Sequence, residues 1–161
     1  MEPLPRETWI LPITNPDGLA RGTKNNARDV DLNRSFAAAS WVAEHRPGYF
    51  PGAAPESEPE ARALAQLIAS SGATRLIALH SPFRTVNYDG PARELAERMA
   101  AANGYGATAD IGYPTPGSFG SRYGHDLGLE VITLEIPPIG EEQAWRENRA
   151  ALRCALELPA V

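Results

Sequence analysis

Apolar positions along the chain fall into two kinds of pattern. Three segments space them three and four residues apart, the repeat of a helix. In "SEPEARALAQLIASS", Ala61, Leu64, Leu67, Ile68 and Ser71 share one face, Ser57 and Glu60 have capping-box spacing, Pro59 stands in the first turn, and Gly72 is the stop. Pro91 to Asn103 puts Leu95, Met99 and Ala102 on one face with Gly104 as its stop. Glu141 to Leu156 has an inner stripe of Trp145, Leu152 and Leu156. Three other segments are short apolar runs. Thr74 to His80 and Val131 to Leu134 predict strands buried on both faces of a sheet. Trp9 to Thr14 predicts a strand ending in a turn, because Pro16, Asp17 and Gly18 follow it. Residues 37–56, rich in Ala, Pro and Gly with Trp41, Tyr49 and Phe50 among them, predict a surface loop. Strands alternating with helices predict an α/β sheet with helices packed on its faces.

The 161 residues suffice for one domain with a core of its own. Lys and Arg number 15 against 20 Asp and Glu, a net charge of -5, and the basic residues are scattered, so nucleic acid is not an expected partner. No apolar stretch is long enough to cross a bilayer, and "MEPLPRETW" lacks the basic-then-apolar order of a secretory signal, so no membrane partner and a cytoplasmic location are expected. Cys154, the one cysteine, sits at a helical position suited to a small buried hydrophobe and reads as structural.

Ligands of open α/β sheets bind beyond the carboxyl ends of the strands, so the polar residue ending each apolar run is where chemistry is sought. One run ends in His80 and another in Glu135. A histidine there is either a hydrogen-bonded structural residue or a metal ligand. A glutamate is harder to dismiss, because burying an unpaired carboxylate is costly. Desolvation would raise its pKa toward the range of a general base. The stretch Asn15 to Phe36 offers complementary chemistry. Arg34 can hold a carboxylate through two parallel hydrogen bonds and Asn33 can add a donor. The alternative is a solvated loop in which Arg34 pairs with Asp31. "PGSFGS" is no nucleophile elbow, since Pro116 stands where a glycine is required two residues before Ser118.

"NPDG", "VDLNRSF", "SEPE", "LHSP", "YDGPA", "GYPTPGSFGS" and "TLEIP", in this order, make the chain resemble the zinc carboxypeptidases of the carboxypeptidase A type, most of all their bacterial murein peptide amidase branch. The resemblance covers nearly the whole chain. It implies a mixed, mostly parallel sheet with helices on both faces, lacking the N-terminal strands, so that 1–161 is a single partial catalytic domain. It implies hydrolysis of an amide near a free carboxyl end, with a carboxylate-ended murein peptide as substrate. Residue by residue, His80 matches the third zinc ligand and Glu135 the general base that activates the metal-bound water. Asn33 and Arg34 match the pair that grips the substrate's carboxylate. Asp31 matches a carboxylate orienting a zinc-binding histidine. Tyr113 matches the mobile tyrosine that closes over the substrate. Cis peptide bonds are expected at one or both of Ser81-Pro82 and Pro137-Pro138.

Two departures accompany the match. The His-x-x-Glu motif that supplies the family's other two zinc ligands is absent, so one of three protein ligands for Zn2+ is present. His45 and His125 lack a glutamate three residues later and read as solvated loop residues. The expectation is an N-terminally truncated enzyme, with Met1 an internal residue of a longer frame and an incomplete sheet open to association with another chain. Lys24 stands where the family has an arginine that stabilises the oxyanion, and Arg28 is its alternative. The readings that compete are a zinc-free module binding carboxylate-ended peptides, a nonfunctional fragment, and an amino-acid deacylase of the same superfamily.

Overall fold

In a computed structural model, which describes residues 7–158, the runs ending at His80 and Glu135 fold as neighbouring strands. Met1, whose place in a longer frame was at issue, lies outside the described residues. The strands are β1 (Arg75–His80), β2 (Thr85–Asp89), β3 (Gly106–Thr108) and β4 (Glu130–Glu135). They form one sheet in the order β1-β4-β2-β3. The pairs β1/β4 and β2/β3 are parallel and β2/β4 is antiparallel, which makes the sheet mixed and mostly parallel. No apolar run announces β2 or β3. In "TVNYD" the alternation is short, and "GAT" has no large side chain at all.

The helices are α1 (Pro16–Arg21), α2 (Pro59–Ser71), α3 (Arg93–Asn103) and α4 (Glu141–Ala155). The chain divides into two compact units, one holding Arg75–Tyr113 and the segment from Gly128 onward, the other Ile10–Thr74 and Pro114–Leu127.

In the sheet unit, α3 and α4 pack on each other and α3 covers β2 and β3. Val86, Leu95, Met99, Ile132 and Leu134 are the large side chains of the core. Three expectations need correction here. First, β1 is half-exposed, with Leu79 at 58 %. Among the described residues it pairs with β4 alone, and an edge strand is not shielded as a central one is. Second, Ala102 is exposed and Asn103 takes its place on the inner face of α3. Asn103 can be buried because its amide donates to Asn148 Oδ1 at 3.0 Å and its Oδ1 accepts from the Tyr105 N–H at 3.0 Å. Third, Trp145 is exposed, and α4 turns Asn148, Ala151 and Ala155 inward. Small residues let two helices approach closely, which an indole would prevent. Cys154 is partly buried against this core.

The expectation for Trp9 to Thr14 also changes: residues 9–14 form no strand, and Trp9, Ile10, Leu11 and Ile13 are exposed. A strand needs a hydrogen-bonding neighbour, and no described residue supplies one. The following "NPDG" begins α1 instead of a simple turn, with Asn15 Oδ1 accepting from the Gly18 N–H at 2.9 Å. At α2 the capping box is diverted. Ser57 donates to Glu58 Oε1 at 3.0 Å, and no side chain caps the helix. Residues 37–56 hold no helix or strand, and His45 lies there, exposed, while His125 lies at the end of a π-helical segment, Gly120–Asp126.

Phe36, Phe119 and Tyr123 form an aromatic cluster with ring centroids 4.8 to 5.8 Å apart. Burial there pushes the Tyr123 phenol up from 10.0 to about 12. The folded chain therefore holds this proton more tightly than the unfolded one, and its contribution to stability, complete below pH 10, is lost as pH rises toward 12. Denaturant titrations at pH 9 and pH 11 should show about 1 kcal/mol lost to this group. Tyr123→Phe should remove that difference.

Candidate functional site

Parallel pairing in register sets His80 directly opposite Glu135 at the carboxyl tips of β1 and β4. The backbone holds the pair there, with the Ile136 N–H donating to the His80 carbonyl at 2.8 Å. Immediately beyond His80 the Ser81-Pro82 bond is cis, whereas Pro137-Pro138 is not. His80 is half-buried. Glu135 is 5 % exposed, and its Oε2 has no hydrogen-bond partner. Desolvation pushes the Glu135 carboxyl above its ordinary range, against a smaller downward pull from a hydrogen bond with the Phe83 backbone.

That direction has a consequence for stability. The unfolded chain releases the Glu135 proton more readily, so stability falls as pH rises from the ordinary glutamate pKa through the raised one and stays reduced above it. In chelator-treated protein, Glu135→Gln should raise unfolding free energy at neutral pH by about 1 kcal/mol. It should change little below the ordinary glutamate range. Equal effects at both pH values in denaturant titrations would contradict the assignment.

The second group of site residues belongs to the other unit. Asn26 organises it: its Oδ1 accepts from the N–H groups of Arg28 and Val30 at 3.0 Å each, and its amide donates to Glu58 Oε2 at 2.8 Å. These bonds bury Val30 and bend the chain into a 3-10 turn, Leu32–Arg34. Asp31 Oδ1 caps that turn through the Asn33 N–H at 3.0 Å. Asn33 Oδ1 then accepts from the Phe119 N–H at 2.8 Å, and the Phe36 N–H donates to the Gly117 carbonyl at 3.0 Å. Residues 117–119 are thereby fastened to residues 33–36.

Arg34 is 6 % exposed. Its Nη1 donates to the Asn33 carbonyl, and no carboxylate among the described residues pairs with it. Asp31 pairs instead with Lys24, whose Nζ lies 2.9 Å from Oδ2. Arg34 lines a cavity of about 400 Å3 together with Tyr49, Arg46, Glu44 and Pro116. A buried guanidinium with unused donors facing a cavity is a receptor for an anion. Lys24 stands over the Tyr49 ring beside this cavity, while Arg28 is exposed and turned to Glu58 at 3.7 Å. Tyr113 is half-buried in an irregular segment after Gly112. Tyr49 and Arg46 were not among the candidates from sequence. The signal was there in "EHRPGYF", a charged and aromatic cluster inside an otherwise small-residue loop.

The sequence profile of the zinc carboxypeptidase family matches residues 6–116. The chain belongs to the zinc carboxypeptidase family. Murein peptide amidase A of Escherichia coli (strain K12) is 38% identical over 156 residues, covering 89% of this chain and 64% of that protein. Its counterpart in Vibrio campbellii (strain ATCC BAA-1116) is 34% identical over 162 residues, covering 92% of this chain and 64% of that protein. The crystal structure of the murein-tripeptide amidase from Escherichia coli O157 superposes with a TM-score of 0.78 at 36% identity, over 92% of this chain and 67% of that one. The chain thus spans just under two thirds of the length of these curated relatives.

Membership in a zinc family raises the question of whether these residues fit the metal. A catalytic zinc needs about three protein ligands and an open position. Among the described residues no group of three His, Cys, Asp or Glu side chains could hold a metal ion. His80 alone does not make a zinc site. No helix among the described residues is long and apolar enough to cross a membrane.

Proposed function

We propose that 1–161 is a single partial zinc carboxypeptidase-like domain of a metallocarboxypeptidase or peptide amidase, and that the whole protein hydrolyses an amide near the free carboxyl end of a murein peptide. The observation that carries this reading is Arg34: a buried guanidinium, unpaired with any carboxylate among the described residues, lines a cavity large enough for a terminal residue. Asn33 and Arg34 bind and orient the substrate's carboxylate. Glu135 Oε2, desolvated and without a partner, accepts a proton from the attacking water and afterwards gives it to the leaving amine. Lys24 offers its ammonium to the oxyanion, the role for which Arg28 is turned away. Asp31 holds Lys24. His80 is one ligand for the family's metal, and Tyr113 closes over the bound peptide. The relatives' names, both murein peptide amidases, support the substrate class.

Calorimetry with a murein tripeptide and its C-terminal amide tests the reading. The free acid should bind the chain in the presence of chelator and the amide should bind at least about tenfold more weakly. Equal binding would remove the carboxylate grip from the proposal.

A second reading is a zinc-free module that holds carboxylate-ended peptides without cleaving them. It is favoured by the lack of a three-ligand group among the described residues. A zinc titration followed by a hydrolysis assay decides between the two: tripeptide cleavage that grows with zinc rules the binding module out.

A further inference from the structure

His45 stands in the wall of the cavity that Arg34 lines, and neither the carboxylate grip nor the catalytic chemistry calls on it. Its Nδ1 lies 3.2 Å from the Ala43 carbonyl oxygen. That oxygen can only accept, so Nδ1 is the nitrogen that carries hydrogen in the neutral ring. The ring also rests against Phe50, with centroids 5.0 Å apart. Nε2 makes no hydrogen bond among the described residues. In the neutral ring this nitrogen shows a lone pair, which repels a carboxylate. Once protonated it shows an N–H and a full charge, which attract one. The other charged or titratable groups around the cavity are Arg34, Glu44, Arg46 and Tyr49 in its wall and Lys24, bonded to Asp31, beside it. Among side chains of these kinds, imidazole is the one whose charge ordinarily changes between pH 5 and 8.

We infer that His45 is a second contact for the carboxylate held by Arg34, one that acts only when Nε2 is protonated, so that this cavity binds carboxylate ligands more tightly as pH falls through the imidazole range. The inference rests on the reading of Arg34 as a carboxylate grip and adds to it the regulation of that site by protons. Arg34 supplies a permanent charge and, being buried, the larger part of the affinity. His45 is exposed and adds a smaller increment. A proton on Nε2 and a carboxylate on Arg34 favour each other, and linkage makes the effect reciprocal: the bound ligand holds the ring proton more tightly.

The test uses racemic N-acetylalanine, which carries one carboxylate, and racemic N-acetylalaninamide, its neutral counterpart, in chemical-shift titrations of the whole chain at pH 5.5 and pH 8, at low ionic strength with chelator. Neither probe changes charge over this range. N-acetylalanine is expected to bind about two- to fivefold more tightly at pH 5.5, the span of an exposed ion pair. By linkage, saturating N-acetylalanine should move the titration midpoint of the His45 Cε1–H resonance upward by about 0.3 to 0.7 pH units. The amide should show neither effect. Because His45 is exposed, His45→Gln should fold normally, keep the affinity measured at pH 8 and lose the gain at pH 5.5. Equal affinity at the two pH values, a gain that survives His45→Gln, or a His45 midpoint indifferent to the ligand overturns the inference while the carboxylate grip stands. N-acetylalanine binding no better than the amide at either pH overturns the Arg34 reading, and the inference falls with it.

Discussion

Arg34→Gln is expected to weaken binding of a carboxylate-ended peptide by at least about 30-fold, the effect of removing one partner from a buried charge pair, about 2 kcal/mol or more. The same substitution should leave the ligand-free chain as stable as before, or more so. In the free chain Arg34 is buried and matched by no carboxylate among the described residues, so its charge is a cost to folding that the Asn33 carbonyl and the Tyr49 ring offset only in part. A structural arginine would show the opposite pattern, with stability falling and peptide affinity following it. Calorimetry and thermal unfolding on the same preparation separate the two, and undiminished affinity in the variant would remove Arg34 from the site.

The second large effect is on stability. Gly117 has φ +68°, and a Cβ there would overlap the Arg34 carbonyl oxygen and come within 2.7 Å of Trp41 Cδ1. Neither neighbour can give way cheaply, because one is backbone and the other is a ring atom. Gly117→Ala should cost about 3 kcal/mol, part from the left-handed conformation and part from the displaced backbone. In a chain of this length that corresponds to a fall in Tm of roughly 6 to 12 °C. Peptide affinity should fall too, since the moved carbonyl belongs to Arg34. A variant melting with the parent would show that residues 117–119 are not fastened to residues 33–36 as described.

The parts of the fold legible in the sequence were those with strong local rules. Gly72 and Gly104 end their helices in the left-handed conformation. The buried run Val131 to Leu134 is the central strand β4. The pairing of His80 with Glu135 followed from reading both as strand ends, because parallel strands brought into register align their tips. What stayed hidden was set by tertiary context. Trp145 has the spacing of a core residue, yet the face of α4 that meets α3 is the one lined by alanines. Trp9 to Thr14 has strand composition, but composition supplies no neighbouring strand. Asp31 beside Arg34 looked like an ion pair in sequence. In three dimensions Lys24 takes the aspartate, which leaves Arg34 with no carboxylate partner among the described residues. The loop bearing Tyr49 and Arg46 has no periodicity, so only its composition could have marked it.

The position of β1 has a kinetic corollary. Among the described residues β1 has β4 along one flank and no strand along the other, so every other N–H of Arg75–His80 takes no partner within the sheet. Those protons should exchange with deuterium far sooner than the ones bonded to β4, so that His80 is carried on a ribbon fastened along a single side while Glu135, with strands on both flanks, sits on the slowest-exchanging part of the sheet.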